Sequence, residues 1–411
     1  MTELRLDIAG MGRRGEGIAH GDGGTLFIPY ALPGETVRAE VDGERVRIVA
    51  IDSPSPDRVE AFCKFFTRCG GCQLQHWRDE PYRQWKRGLV VTALRNRRIE
   101  APVAELIDAH GEGRRRVSLH VRRKNGQVLA GFMAARSHDL LDIDRCPILV
   151  PALRGATDIA RAIGARLGDC DVALTATNSG IDGAVKVDRE LAGRALHELA
   201  QTDFGLARLT VNGDPLATRA TPMVTMGRAK VALPPVSFLQ ATTAGEAALA
   251  QLVIAAAGKA RKIADLFCGV GPFALRLAET AHIAAFDSDR LAIAALDRAR
   301  RETSGLKPVI ATARDLFREP LVANELQDFD AVIFDPPRAG AEAQARHLSK
   351  SKIGTVIVVS CDPASFARDA EILMRGDYRL GAVTPVDQFK WSSHVEIAAV
   401  FRRDQSLARS T

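Results

Sequence analysis

Residues 262–275 read KIADLFCGVGPFAL. An apolar run, KIADLF, ends in a glycine-rich turn that passes straight into a segment of helical composition. This is the strand–turn–helix junction of a parallel α/β sheet. The neighbouring sequence continues the pattern: PFALRLAET, HIAAFD, RLAIAALDRARRE, PVIATARD, DAVIFD and TVIVVS alternate apolar strands with Ala-rich helices from about residue 246. Near-continuous apolar strands separated by amphipathic helices predict a sheet covered on both faces, whose ligands sit at the carboxyl ends of the strands. The predicted fold class is therefore α/β over 246–411.

The unusual residues collect at those strand ends. Gly269 and Gly271 would let a ligand approach the backbone closely, beside a helix N-terminus. The next strand ends at Asp287, 18 residues after Gly269, about where an acidic group binds ribose hydroxyls in nucleoside sites. A third strand ends at Asp315, placed to meet the base. Without the full G-x-G-x-x-G, and with Asp265 ahead of the turn, S-adenosylmethionine fits the pattern better than NAD. Turn-forming glycines and helix-capping aspartates would leave the same trace, so this spacing alone keeps a structural role open.

Two later strand ends carry more specific chemistry, FDPPR at 334–338 and VVSCDP at 358–363. Asp335 is followed by two prolines that restrict the backbone. Cys361 stands just beyond a buried strand, and the following Asp-Pro should break that strand and expose the sulfur. C5 of a pyrimidine is a poor nucleophile until something adds to C6, a step suited to a thiolate. A base must afterwards remove the C5 proton so that the thiolate can leave. HVEIAAVFRR at 394–403 offers Glu396 at the start of a final strand, with His394 beside it. Alone, Cys361 would read as an inert core thiol and Glu396 as an edge-strand acid; together they point to chemistry.

The first half has a different texture. Residues 1–55 carry short alternating runs (TLFIPY, ETVRAEV, ERVRIVAI) broken by GMGRRGEG, GDGG and LPGE, the pattern of a small all-β barrel. SPSPDR at 53–58 reads as a linker. The middle, 56–245, is mixed α+β, with a hairpin expected at Asn125-Gly126 in VSLHVRRKNGQVLAGFM. Strands are expected at DVALTAT, DGAVKVD and RLTVNG, and helices at DIARAIGARLG and ALHELAQ.

The 411 residues fit two to three domains, and 46% hydrophobic with 26% charged residues is the composition of a folded chain. MTELRLDIAGMGRRGEG lacks a signal-like apolar core, and AALAQLVIAAAGKA is too short to span a bilayer, so a cytoplasmic protein without membrane association is expected. Net charge is +6, but Cys63–Val150 alone holds 17 Lys and Arg against 9 Asp and Glu, a net of +8. Within it, Arg83–Arg98 has six positive charges and no negative one. A polyanion such as RNA is the natural partner for that region, with Phe65, Phe66, Trp77 and Trp85 as candidate stacking residues or, individually, core.

Seven cysteines in a chain without export signals suggest metal or catalysis over disulfides. Three lie in CKFFTRCGGC at 63–72, and the same half also holds Cys146 in IDRCPIL and Cys170. Cys170 and Cys268 have no evident ligand role and read as buried. On residues alone a zinc ion and an iron–sulfur cluster both accept four thiolates.

In this order, DLFCGVGPFAL, FDPPRAG, VVSCDP and HVE resemble the RNA uracil-5-methyltransferase family. PSPDRVEAFCKFFTRCGGCQLQHW is similar to the cluster-binding segment of its 23S rRNA branch, and the N-terminal barrel resembles that branch's TRAM domain. The likeness covers nearly the whole chain. It implies a Rossmann-like class I methyltransferase sheet with Cys361 as nucleophile and Glu396 as C5-proton base. Gln240 (in SFLQAT), Phe267, Asp287, Asp315 and Asp335 would line the S-adenosylmethionine and uracil pocket, Asp335 close to the reacting base and catalytic. Gly269, Gly271 and Pro272 would form its turn. The resemblance further implies a [4Fe–4S] cluster on Cys63, Cys69, Cys72 and Cys146, a 23S rRNA substrate, and a monomeric protein. The chain departs from the family in two places. The family often has Asn where Pro272 stands, so any cofactor contact there is through backbone. The barrel, with nine acids and six bases over residues 1–52, is net −3, which opposes RNA binding on charge alone.

Four other functions are weighed. A small-molecule methyltransferase explains the sheet but not the thiol, the base or the basic region. An RNA-binding assembly factor without activity would not need Cys361, Asp335 and Glu396 together. A tRNA uracil-5-methyltransferase differs only in substrate. A radical enzyme expects C-x3-C-x2-C, whereas this chain has C-x5-C-x2-C.

Overall fold

A computed structural model describes residues 2–21, 24–43 and 45–403; the GDGG break at 21–24 falls partly outside them, as does the end of the expected 246–411 unit. Alternating apolar residues at the start give six strands, β1 (Thr2–Asp7), β2 (Gly10–Met11), β3 (Glu16–Gly21), β4 (Gly24–Pro29), β5 (Thr36–Asp42) and β6 (Arg45–Ser53). They form two three-stranded antiparallel sheets, β1-β5-β6 and β2-β3-β4, closed over Leu6, Ile8, Ala19, Ile28, Val37 and Ala39. The SPSPDR stretch is not a loose linker: Arg58 donates to both carboxylate oxygens of buried Glu35, at 2.5 and 2.8 Å.

The middle contains α1 (Asp79–Arg95), β7 (Ile107–Asp108), β8 (Arg116–Lys124), β9 (Gln127–Met133), β10 (Leu140–Asp142), α2 (Ala156–Leu167), β11 (Cys170–Thr177), β12 (Gly180–Lys186), α3 (Gly193–Gln201), β13 (Leu206–Val211) and β14 (Asp214–Thr218). A seven-stranded sheet runs β10-β9-β8-β11-β12-β13-β14, packed with α2 around Leu119, Val121, Ile163, Val172 and Leu174. Its β8–β9 hairpin turns at Asn125-Gly126, both with positive φ (50° and 78°), the conformation that an Asn-Gly turn adopts most cheaply. A separate hairpin follows, β15 (Met223–Met226) with β16 (Ala229–Ala232).

The remainder comprises α4 (Thr243–Ala257), β17 (Lys262–Leu266), α5 (Ala274–Leu277), β18 (His282–Asp287), α6 (Arg290–Glu302), β19 (Val309–Ala313), α7 (Ala323–Leu326), β20 (Ala331–Phe334), α8 (Glu342–Lys350), β21 (Thr355–Ser360), α9 (Pro363–Met374), β22 (Tyr378–Asp387) and β23 (Glu396–Arg403). An eight-stranded sheet runs β19-β18-β17-β20-β21-β23-β22-β7. β17 to β21 are parallel and β23 is antiparallel to β21. Both faces are buried: Val356 and Val358 point into one core, Ile357 and Val359 into the other. This explains why TVIVVS is apolar without alternation. From β17 the chain builds outward first to β18 and β19, then reverses to β20 and β21, so a crevice opens between β17 and β20 at the carboxyl ends.

One crossing was not expected. α1 and β7 precede the seven-stranded sheet in the chain, yet β7 pairs with β22 and α1 presents Tyr82, Lys86, Val90 and Leu94 as a buried face, with Val90 and Leu94 in a core shared with Phe366 and Tyr378. The Arg83–Arg98 run is therefore not a free polyanion-binding face. Lys86 is fully buried against Asp387, Arg83 donates to the Leu106 carbonyl, Arg87 to those of Val103 and Ala104, and Arg97 pairs with Glu371 at 3.0 Å. Only Arg95 and Arg98 of its other charges stand exposed without such a partner among the described residues. The candidate stacking residues are also largely committed to packing: Trp77 is buried against Trp85, and Phe66 meets Tyr30 and His76.

Candidate active site

β17 delivers Asp265 and Phe267 to the crevice, and the chain then turns through Phe267, Gly269 and Gly271 with φ of 64°, 52° and 89°. A left-handed phenylalanine is costly, and such strain persists only where surrounding packing imposes it. Here Phe267 rests against Phe334 and the half-exposed Phe317. At Gly271 a Cβ would meet Leu296 Cδ1 at 2.6 Å, whereas a Cβ at Gly269 would meet nothing within 4 Å, so the space in front of Gly269 is open. Arg276 holds the Pro272 carbonyl at 2.6 Å, and α5 behind it is a single turn. Asp287 accepts from the Gly269 N–H and from the Asp289 N–H, both at 2.8 Å; the carboxylate is tied to the turn it faces. Asp315, beyond edge strand β19, accepts from the Phe317 N–H at 3.0 Å and lies further out. Asp265 is fully buried, and among the described residues neither carboxylate oxygen meets a hydrogen-bond partner in normal geometry. Burial, helped by Asp287, pushes it up to about 8.

Next to this pocket Asp335 (after β20), Cys361 (after β21) and Glu396 (first residue of β23) lie within range of one another's charge. Burial, then Glu396 and Asp335, push the Cys361 thiol up to about 12. Burial, then Glu396, Asp265 and Asp287, hold Asp335 well above the usual carboxylate range, although its surface stays partly open to the crevice. Burial raises Glu396 to about 7, with the Gln388 amide and the Lys86 charge pulling back. Such a concentration of acids protonates readily and favours a cation.

The remaining expected pocket residue, Gln240, comes from the loop before α4 and is held from behind. Arg115 donates to the Gln240 carbonyl at 2.9 Å and to Glu246 at 2.5 Å, and Glu246 also accepts from Arg276 at 2.7 Å. One buried network thus joins the backbone at Gln240 to the carbonyl of Pro272. Sequence reasoning missed this network, and it also missed Gln388, Phe317 and the 70%-exposed Phe238 under Arg116. It missed Lys86 too, although a lysine in register with Tyr82, Val90 and Leu94 on the apolar stripe was a signal. At the mouth, Arg338 and, from the barrel, Arg13 approach Asp362, beside Cys361, at 3.8 and 3.5 Å.

Far from this crevice in sequence, Cys63, Cys69, Cys72 and Cys146 are all free thiols. Burial raises Cys69, takes Cys72 to about 11 and Cys146 to about 12, and each of these three feels the charge of at least one other member of the set. Arg114 faces Cys72 and Cys146, and its Nε is buried without a hydrogen-bond partner among the described residues. The four thiols are thus gathered, but among the described residues no three His, Cys, Asp or Glu side chains close on one point as a metal site. Cys170 and Cys268 are buried in the cores, as expected. No described helix is long and apolar enough to cross a membrane.

Comparison with known proteins agrees with this geometry. The profile of the tRNA (Uracil-5-)-methyltransferase family matches residues 233–404. An RNA methyltransferase of Brucella suis, itself uncharacterised, is 45% identical over 97% of this chain and 98% of its own. The 23S rRNA (uracil(1939)-C(5))-methyltransferase of Chromohalobacter salexigens is 33% identical over 99% of this chain and 90% of its own. In fold, the tRNA (uracil-54, C5)-methyltransferase of Pyrococcus abyssi, solved with S-adenosyl-L-homocysteine, superposes with a TM-score of 0.74 at 23% identity, covering 97% of this chain and 99% of that one. The crevice, the profile over its strands and the full-length relatives agree: the chain belongs to the RNA uracil-5-methyltransferase family and is an S-adenosylmethionine-dependent RNA methyltransferase.

Proposed function

We propose that the enzyme methylates C5 of a uridine in 23S rRNA through a covalent adduct between Cys361 and C6. The observation that carries this reading is the convergence of Cys361, Asp335 and Glu396, from three strands, at the carboxyl-end crevice. S-adenosylmethionine supplies the methyl group and a cationic sulfonium. The residues present fit it: Asp265 offers an orphaned carboxylate, Gly269 an open backbone approach, and Asp287 an acid beside the turn. In the ligand-free site burial and the neighbouring acids disfavour ionisation of Cys361; a cation in the crevice favours its thiolate, the thiol proton leaving to solvent at the partly open sulfur. The thiolate would add to C6, and the electron pair released to C5 would take the methyl group of a bound S-adenosylmethionine, with S-adenosylhomocysteine as the leaving group. Glu396 then takes the C5 proton, the C5–H pair restores the double bond, and the Cys361–C6 bond breaks. Asp335, whose carboxyl burial and then Glu396 push toward the protonated form, is suited in that form to donating a hydrogen bond to the uracil.

Choice of 23S rRNA rests on the full-length likeness to the Chromohalobacter enzyme and on the four-cysteine set. We read the set Cys63, Cys69, Cys72 and Cys146 as the ligands of a [4Fe–4S] cluster on the strength of four unpaired thiols, of which Cys69, Cys72 and Cys146 each feel the charge of at least one other, although no three close on one point as they stand among the described residues. We assign the cluster a structural role, ordering the segment that links barrel, central sheet and active-site loop. Tritium release from 5-tritiated uridine in unmodified 23S rRNA, dependent on S-adenosylmethionine and abolished in Cys361→Ala, is the expected result. Release from tRNA but not from 23S rRNA overturns the substrate, and wild-type release by Cys361→Ala overturns the covalent route. Anaerobic purification should give a coloured protein with iron and sulfide; a colourless one with zinc refutes the cluster.

A further inference from the structure

Between two expected site residues lies one that the reaction as drawn does not use. Gln388, immediately after β22, is fully buried. Its Nε2 donates to Glu396 Oε1 at 3.0 Å and to Gln240 Oε1 at 2.5 Å, and its Oε1 accepts from the Thr242 N–H at 3.4 Å. Both donors and the carbonyl are engaged, so the partners fix the orientation of the amide. Because Gln388 occupies the carbonyl end of Gln240, the donor end of that amide is left with no hydrogen bond to protein among the described residues.

Gln388 is itself held on both sides. Asp387 accepts from Tyr82 Oη at 2.6 Å and from Lys86 Nζ, and Lys86 also donates to the Phe389 carbonyl at 3.2 Å. A buried helix from the first half of the chain thus clamps the residues flanking Gln388. In α4, Gly245 leaves room for it: a Cβ there would meet Gln388 Oε1 at 2.7 Å and its Cβ at 2.8 Å.

We propose that Gln388 is a positioning residue for methyl transfer, holding the Glu396 carboxylate in place as C5-proton acceptor and fixing which end of the Gln240 amide is offered to the ligand. This rests on the reading of Glu396 as the base. Among the described residues the charged and titratable groups around Glu396 are Lys86 from α1 (itself paired with Asp387), Asp335 after β20 and Cys361 after β21. An amide donor to a carboxylate favours the ionised form, so its loss should move the ionisation that limits release of the adduct upward.

The test uses Gln388→Met and the isosteric Gln388→Glu in the full-length enzyme, with Glu396→Gln alongside. Expected for both Gln388 variants is an upward shift of about one pH unit in the rising limb of tritium release. Release at pH 7 should fall about five-fold and recover at higher pH, with a denaturant-stable RNA–protein adduct accumulating. Glu396→Gln should trap that adduct at every pH. Variants that merely lower S-adenosylhomocysteine affinity or melting temperature without moving the limb, or that behave as wild type, overturn the positioning role. If Glu396→Gln releases tritium at the wild-type rate, it is the assignment of the base that fails.

Discussion

Cys361 and Cys146 carry thiols pushed equally far, to about 12, and in both burial is the first cause. Their surroundings then diverge. Around Cys361 the additional push comes from the carboxyl groups of Glu396, Asp335 and Asp362; around Cys146 it comes from the thiols of Cys72 and Cys69, with Arg114 opposing. The thiol's own ionisation therefore does not reveal its task, whereas its neighbours do. Acids around a thiol can take a proton and welcome a cation that comes and goes with substrate. Thiols around a thiol have no group to pass a proton to, and suit an ion that displaces their protons and stays. The two regions are also joined: the Gln73 and Leu74 N–H groups, just after Cys72, donate to the Trp391 carbonyl at 2.8 and 3.2 Å. Trp391 stands in the loop that runs from Gln388 to Glu396.

The most severe test of this contrast removes one thiol from each region. Cys361→Ala should lower single-turnover tritium release by on the order of 10⁴-fold or more, as removal of a nucleophile does, while leaving any iron content intact. If the proposed cluster is present, Cys72→Ala should lose its iron and weaken RNA binding, with a smaller loss of rate per folded molecule. A Cys72→Ala protein without iron but with full RNA affinity and activity would remove the structural role, and the reverse ranking of the two variants would invert the contrast.

The two regions were not equally legible in the sequence. The parallel sheet could be read because burial on both faces writes runs such as TVIVVS, and strand-end residues such as Asp335 and Cys361 then fall at one edge. The Asn125-Gly126 turn was equally local. Pairing between distant segments leaves no periodicity: β7 joins β22, and Gln388 meets Gln240 across 148 positions. Charge counting misled for the same reason. Arg83–Arg98 looked like an RNA face because its partners, Asp387, Glu371 and a series of carbonyls, lie elsewhere in the chain. Conversely, the acidic barrel places Arg13 beside Asp362 at the crevice mouth, a local charge that a net of −3 conceals.

That buried helix gives the next largest effect. Lys86→Met strands the Asp387 charge in the interior and should cost about 3–5 kcal/mol of folding stability, read from denaturant unfolding at pH 7. Adding Asp387→Asn should return part of the loss, since two neutral groups avoid the uncompensated charge. Arg13→Ala, at a pair whose arginine is 68% exposed, should change stability by less than about 1 kcal/mol. Equal effects from Lys86→Met and Arg13→Ala would mean that α1 is not the clamp behind the active-site loop.

Glu396 gives a smaller effect than Lys86 and the sharpest sign. Its folded value of about 7 lies above the ordinary 4.5, so the folded state binds this proton more tightly than the unfolded chain does. The resulting stabilisation is complete below about pH 4.5 and is lost as pH rises through 7. For a carboxyl as buried as this one the loss amounts to about 3 kcal/mol. Glu396→Gln cannot titrate, so it should gain that amount over wild type between pH 4.5 and 8, Asp335 contributing a slope of the same sign to both proteins. Lys86, lowered to about 8, titrates above this window and works in the opposite sense. Over the same window adduct release should rise in the wild type, because only the carboxylate can accept the C5 proton. Stability falling while turnover rises, both cancelled by one isosteric change, would tie the cost of burying Glu396 to its use as a base; parallel stability curves for the two proteins would separate them.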